Sequence, residues 1–191
     1  MPIEKKHIIT ISGRPGSGKS TSAKLAAAKL GYDHFSSGDL FRAIAREQGI
    51  NLLDANLSAE QNSEVDMLVD ARLQEIGKSE DRQVIDSRTA WHWMPGSFKV
   101  FLNLDIRTAA ERILSEIDDE RSSSEHVHDD IDAYADTLQA RLDSESRRYR
   151  KLYDIDPYDM TSYDLVVDTQ ANSIADTLRT VLEAYDAWLK S

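Results

Sequence analysis

Between Gly13 and Ser20 the chain reads GRPGSGKS, three glycines closing on a lysine and a hydroxyl. The spacing Gly13-x4-Gly18-Lys19-Ser20 is that of a loop that cradles phosphate, the P-loop. Gly13, Gly16 and Gly18 let backbone N–H groups turn inward around phosphate oxygens without Cβ clashes. A helix opening beside Lys19 adds its partial positive end at the same place. In that chemistry Lys19 reaches the β- and γ-phosphates of a nucleoside triphosphate, and the Ser20 hydroxyl binds Mg²⁺. The motif marks Gly13, Arg14, Pro15, Gly16, Ser17, Gly18, Lys19, Ser20 and Thr21 as the seat of ATP. It does not say what receives the terminal phosphate.

Further candidates stand where strands should end. Asp86 closes RQVID; at the carboxyl edge of a parallel sheet it would face the crevice where ligands lie and hold a water on Mg²⁺. Its alternative is to cap the next helix. Arg42, in SSGDLFR, and Arg88, in VIDSR, follow strand ends on the same side. Farther along, Ile131, Tyr134, Leu138, Leu142, Tyr149 and Tyr153 recur at helical spacing. On such a helix Arg141, Glu145 and Arg148 fall within roughly 60° of one another beside the apolar stripe, with Arg147 and Arg150 on the far side. A salt-bridge ladder along the helix is the competing reading of that triplet. Four arginines, Arg42, Arg88, Arg141 and Arg148, meeting at one crevice would instead hold a phosphorylated acceptor.

The elements needed to place these groups can be read from periodicity. HIITIS (7–12), RQVID (82–86), FKVFLNL (98–104) and YDLVVD (163–168) have the composition of buried strands, and Asp33–Ser36 is a short further one. A helix from Lys19 carries Ala23, Ala26, Ala27 and Leu30 on one face and stops at Gly31. Gly38–Gln48 reads as a second helix. Ser58 with Gln61 forms a capping box for a third, with Val65, Leu68, Val69, Leu73 and Ile76 on its apolar face. Helices follow at about 106–120, 124–152 and 173–189, the last opened by Ser173 and Asp176. Strands alternating with helices specify a parallel α/β sheet covered on both faces.

Composition narrows the partners. The 191 residues suit one domain, 1–191, and include no cysteine, which excludes disulfide and thiolate chemistry. Thirty-four acidic residues against 23 basic give a net charge of −11, a field that repels a nucleic-acid polymer. No apolar run approaches the ~20 residues that span a bilayer, and the N-terminus lacks a secretory pattern; a soluble, cytoplasmic protein is expected. ERSSSEHVHDD (120–130) is the most polar interruption, either a lid or a solvated turn. His126 and His128 with Asp129 make a poor metal site, because residues two apart on a helix do not share a face.

FSSGDLFR, VIDSR and the Arg141–Glu145–Arg148 spacing followed by RYRKLYDID resemble the cytidylate kinases, particularly their archaeal-type branch. The resemblance extends from the glycine loop to about Thr169. It implies a three-layer α/β/α fold with a five-stranded parallel sheet, a helical acceptor-binding insert at about 37–80 and a lid at about 112–130. The family's activity implies transfer from ATP, with Mg²⁺, to CMP or dCMP by a monomer. Carried over by position, Ser37 and Arg42, with Asp39 in the same element, would hold the monophosphate. Arg88, Arg141 and Arg148 would add charge around it, and Glu145 would meet the ribose. Arg112 would lie over the donor where the lid begins, with Arg121 a second lid candidate; the segment Ser58–Lys78 would cover the base. The common bacterial relatives carry Asp after the arginine of a D-G-R element, where this chain has Thr89 after Asp86-Ser87-Arg88. That departure leaves Asp66, Asp70 and Arg72 as candidate base readers, with Trp91 and Trp93 assigned to packing. Adenylate, uridylate and non-nucleotide kinases, or a non-catalytic NTP switch, are the alternatives on this scaffold.

Overall fold

A computed structural model describes residues 4–47, 64–115 and 130–191. Five parallel strands, β1 (Ile8–Gly13), β2 (Asp33–Ser36), β3 (Gln83–Asp86), β4 (Phe98–Asn103) and β5 (Leu165–Asp168), form one sheet in the order β2-β3-β1-β4-β5. The helices are α1 (Lys19–Leu30), α2 (Ser37–Glu47), α3 (Glu64–Ser79), α4 (Ala90–Trp93), α5 (Ile106–Ser115), α6 (Ile131–Tyr153) and α7 (Ile174–Lys190).

The run IITISG is buried at every position because β1 is central and covered on both faces. Alternate side chains divide between two cores. Ile9 and Ile11 join Ala23, Ala26 and Ala27 of α1 and Val181 and Tyr185 of α7. Ile8 joins Val69, Leu73 and Ile76 of α3, with Ala90 and Met94. Each fully buried Ile or Leu contributes about 1.5–3 kcal/mol relative to exposure, so these faces hold α1 and α3 in place. A third cluster, Leu104, Ala109, Ala110, Tyr134 and Leu138, clamps α5 to α6.

Sheet register gathers the chemistry. Asp86 pairs with Ile11 on one side and Ser36 on the other, and Gly13 lies opposite Leu102. The carboxyl ends of β1, β2 and β3 therefore form one edge, where the glycine loop, the start of α2 and Arg88 all emerge. The caps follow the sequence: Gly31, with φ 65°, donates its N–H to the Ala27 carbonyl, and the Ser173 side chain accepts from the Asp176 N–H.

Several expectations need correction. Leu68 is 51% exposed, beside Met67, because the stripe that packs is Val65, Val69, Leu73 and Ile76. YDLVVD is not a buried strand: β5 is an edge strand, with only Val167 buried. The single-turn helix α4 has too few residues to show a period. The capping box Ser58/Gln61, Arg121, and His126, His128 and Asp129 lie outside the described residues, as does most of the expected lid. No helix among the described residues is long and apolar enough to cross a membrane.

Candidate active site

The glycine loop leaves β1 against its neighbour. A Cβ on Gly13 would stand 2.5 Å from the Leu102 carbonyl oxygen, so no other residue fits that close approach. Gly18 turns the chain into α1 with φ 75°, a left-handed geometry that side chains resist. Within the loop the Ser17 Oγ is buried with no hydrogen-bond partner among the described residues. Arg14 and Pro15 complete the turn, and Thr21 lies exposed in the first turn of α1.

Asp86 is the hub beneath the loop. Its buried carboxylate pairs with the Lys19 ammonium and accepts from the Ser20 Oγ at 2.6 Å. Burial pushes the Lys19 pKa down; Asp86 works against that, and the Arg88 charge adds to it. A buried cation held below its ordinary pKa gains from an added anion, which is what a phosphate brings. Asp86 takes these two partners rather than capping α4, whose N-cap residue is Thr89. The paired oxygens of Ser20 and Asp86 are hard ligands of the kind Mg²⁺ takes. Among the described residues no group of three or more His, Cys, Asp or Glu side chains could hold a metal alone. A magnesium here would therefore draw its other ligands from phosphate and water.

Beside this hub two of the arginines pair with a single carboxylate. Glu145, buried on α6, receives Arg88 Nε at 2.7 Å and Arg141 Nε at 3.2 Å. The Tyr158 hydroxyl donates to Oε2, the same oxygen that pairs with Arg88, and accepts from Arg88 Nε at 3.2 Å. Burial alone would raise the Glu145 pKa; Arg88, Arg141, the Tyr158 hydroxyl and Arg148 outweigh it, and the carboxyl sits below its ordinary value. Glu145 in turn raises Arg88, against the effect of burial. Arg148 pairs with Asp66 of α3 at 3.2 Å and lies 5.0 Å from the Tyr149 ring centroid. The triplet on α6 is thus more than a surface ladder: it reaches β3 through Arg88 and α3 through Asp66.

Arg42 takes a different place. It is ion-paired to Asp39 within α2, half-exposed, at the same sheet edge but not on Glu145. The Asp39 N–H donates to the Ser36 Oγ, and Ser37 opens the helix. Arg88 and Arg141 therefore share Glu145, Arg148 lies near it on Asp66, and Arg42 stands apart at the start of α2. Arg112 Nη2 donates to the Thr169 carbonyl at 2.8 Å, tying α5 to the segment after β5.

The departure at Thr89 acquires a partner. Thr89 Oγ1 donates to Asp70 at 2.8 Å; Trp93 Nε1 at 3.0 Å and the Tyr153 hydroxyl at 2.6 Å donate to the same carboxylate. Asp70 thus has three donors, whereas burial raises the pKa of Asp66 against the opposing charges of Arg148 and, less, Arg88. Arg72 is half-exposed and pairs with Glu75 and Glu80. Trp91 packs against Tyr163 and Trp93 against Tyr153. Sequence reasoning missed Tyr158, which lies in an aperiodic turn; the only local signal is the preceding Pro157.

Backbone amides poised for phosphate on one side of Lys19, and guanidinium groups on the other, define a P-loop phosphotransferase. A family model described as "AAA domain" matches residues 12–151. A cytidylate kinase of Halobacterium salinarum is 37% identical over 186 residues, covering 94% of this chain and 91% of the relative. A cytidylate kinase of Natronomonas pharaonis is 39% identical over 180 residues, covering 93% and 88%. Among solved structures, a shikimate kinase from Bacteroides thetaiotaomicron shares the fold with a TM-score of 0.62 at 15% identity, covering 92% and 96%. The chain belongs to the cytidylate kinase family.

Proposed function

We propose that the protein transfers the γ-phosphoryl group of ATP to CMP or dCMP, yielding ADP and CDP or dCDP. The observation that carries this reading is the meeting of Arg88, Arg141 and Arg148 around Glu145 beside Lys19. Such an arrangement is built for a second anion facing the donor's terminal phosphate.

In this reading loop amides and Lys19 hold the donor phosphates, and Arg112 borders the donor from α5. Ser20 and Asp86 hold Mg²⁺, which supplies charge neutralisation when bound. Lys19 then exchanges its Asp86 partner for phosphate oxygens. Ser37 and Arg42, with Asp39 positioning Arg42, take the acceptor phosphate from the α2 side; Arg88, Arg141 and Arg148 take it from the other. Glu145 orients the guanidiniums and accepts from the ribose. Residues 37–80 act as the acceptor-binding insert and 112–130 as the lid of a single domain.

No general base is needed, because a phosphate monoester's second pKa of ~6 leaves the attacking oxygen ionised at neutral pH. Rate enhancement comes from in-line alignment and from spreading positive charge around the transferring group. The protein acts as a cytoplasmic monomer on free nucleotides, without a nucleic-acid polymer or a membrane.

A panel of CMP, dCMP, UMP, AMP and shikimate with ATP and Mg²⁺, read by ADP release, tests the assignment. CMP or dCMP should give the highest kcat/KM. Preference for AMP, UMP or shikimate would reassign the acceptor, and ATP binding with no acceptor turned over would make the protein a switch.

A further inference from the structure

On the side of α6 turned away from Glu145, a cavity of about 380 Å³ opens between that helix, the glycine loop and the turn that follows the helix. Arg14, Gln139, Ser146, Arg147, Arg150 and Tyr158 line it. At 100° per residue Gln139, Ser146, Arg147 and Arg150 share an arc of about 100°, and the acceptor triplet lies across the helix from them. The cavity is therefore distinct from the acceptor pocket although both use α6, and through Arg14 it adjoins the donor loop.

Its charge balance is unusual for a chain of net charge −11. Two carboxylates border it, and both are engaged. Asp156 pairs with Arg150 at 2.6 Å and accepts from Ser146 Oγ and the Tyr158 N–H, each at 3.0 Å. Asp143 accepts from Gln139 Nε2 at 2.8 Å. Among the described residues neither Arg14 nor Arg147 has a carboxylate within ion-pair distance. Among the described residues the Arg14 guanidinium reaches the Leu104 carbonyl, at 3.5 Å, and its buried Nε has no hydrogen-bond partner. The lining sets three guanidiniums, Arg14, Arg147 and Arg150, against two carboxylates, and this net positive charge in a concavity at the lower end of the ~300–1,000 Å³ typical of ligand sites calls for a small anion.

Tyr158 joins this cavity to the catalytic centre. It lines the cavity, while its hydroxyl donates to Glu145 and accepts from Arg88. A ligand that moves Tyr158 alters the hydrogen bonding of the carboxylate on which the acceptor arginines meet.

We propose that the cavity behind α6 is a second anion site, taking a small phosphate-bearing anion between Arg14 and Arg147 and coupled through Tyr158 to the acceptor pocket. The coupling is reciprocal: an anion that changes acceptor affinity has its own affinity changed by the same factor.

The test is calorimetric. Wild type is first saturated with a non-hydrolysable ATP analogue, Mg²⁺ and CMP, and the heat of CMP binding independently checks the acceptor assignment. Inorganic phosphate and ribose 5-phosphate are then titrated in separate arms, which distinguishes a free ion from the phosphate of a larger metabolite. One equivalent should bind in at least one arm, and Arg147→Glu should weaken it at least tenfold while leaving phosphate-free kcat and both KM values within twofold. Phosphate should shift the KM for CMP at least twofold in wild type but not in Tyr158→Phe. No binding with the nucleotide sites filled, or equal binding to Arg147→Glu, would overturn the site; binding without a KM shift would overturn the coupling.

Discussion

The two halves of the proposed catalytic centre are built by opposite means. The donor half is one continuous stretch, Gly13–Thr21, in which the main chain is the binding group and Gly13 is fixed by its approach to Leu102. The proposed acceptor half is assembled from side chains of α2, β3's following turn, α3, α6 and the turn at Tyr158, and buried charge pairs hold all of it but the α2 part. A main-chain site tolerates side-chain changes outside its glycines and Lys19, because amides do the binding. A side-chain site carries its own electrostatic tension: each member compensates another, so function and stability are lost together.

Lys19→Ala gives the largest separation between the two. Loss of a preorganised charge on the transferring group should lower kcat by about a hundredfold or more. The melting temperature should fall less than in Arg88→Ala, because Asp86 keeps the Ser20 hydroxyl and Lys19 is itself disfavoured as a buried cation. Comparable losses in both would show that the donor half also depends on charge pairing.

Arg88→Ala should show the opposite balance. It leaves Glu145 buried with Arg141 and Tyr158 as its remaining close partners, and breaking a buried pair on one side costs up to about 3–5 kcal/mol. Urea unfolding should report a loss approaching that range, and Arg88→Met with Glu145→Gln should recover much of it. Full stability in the single variant would remove Glu145 as the organising charge.

Within the acceptor half, Arg148→Ala should raise the KM for CMP about tenfold or more with the KM for ATP within twofold, since one well-placed charged hydrogen bond contributes about 1.5–3 kcal/mol. Arg42→Ala should raise the same KM by less and leave the unfolding midpoint nearly unchanged, because its pair with Asp39 is half-exposed and local. The reverse order would place the phosphate on α2 rather than on α6.

The smallest effect is in acid. The folded state holds Glu145 below its ordinary pKa, so the unfolded chain binds its proton more readily. The stability this contributes is complete above the ordinary glutamate value of ~4.3 and is lost as pH falls through the depressed folded value. Glu145→Gln should flatten that acid limb of stability against pH without altering the profile near neutrality. An unchanged acid limb would assign acid unfolding to other carboxylates.

The same contrast explains what sequence could show. GRPGSGKS is legible because its function is local: spacing alone sets the turn and the helix start. Sheet strands such as IITISG are equally plain, since burial on both faces leaves a continuous apolar run. Arg141, Glu145 and Arg148 could be placed on one helix face, but the periodicity of α6 says nothing of Arg88 or Asp66 from other elements. Tyr158 and the three donors on Asp70 are hidden for the same reason, because both depend on contacts between separate segments, 13 to 83 residues apart. Leu68 was misplaced because a helix covered on one side by a sheet packs a narrower stripe than its apolar residues suggest.

Asp70 has a mechanical consequence. Its carboxylate ties α3 to Thr89, Trp93 and Tyr153 at once. Swinging α3 outward would strip a buried anion of several donors together, at about 1–3 kcal/mol for each group left unsatisfied. The part of α3 around Asp70 therefore travels with α4 and the end of α6 as one rigid plate. Whatever hinge admits the nucleotide must bend elsewhere along the chain.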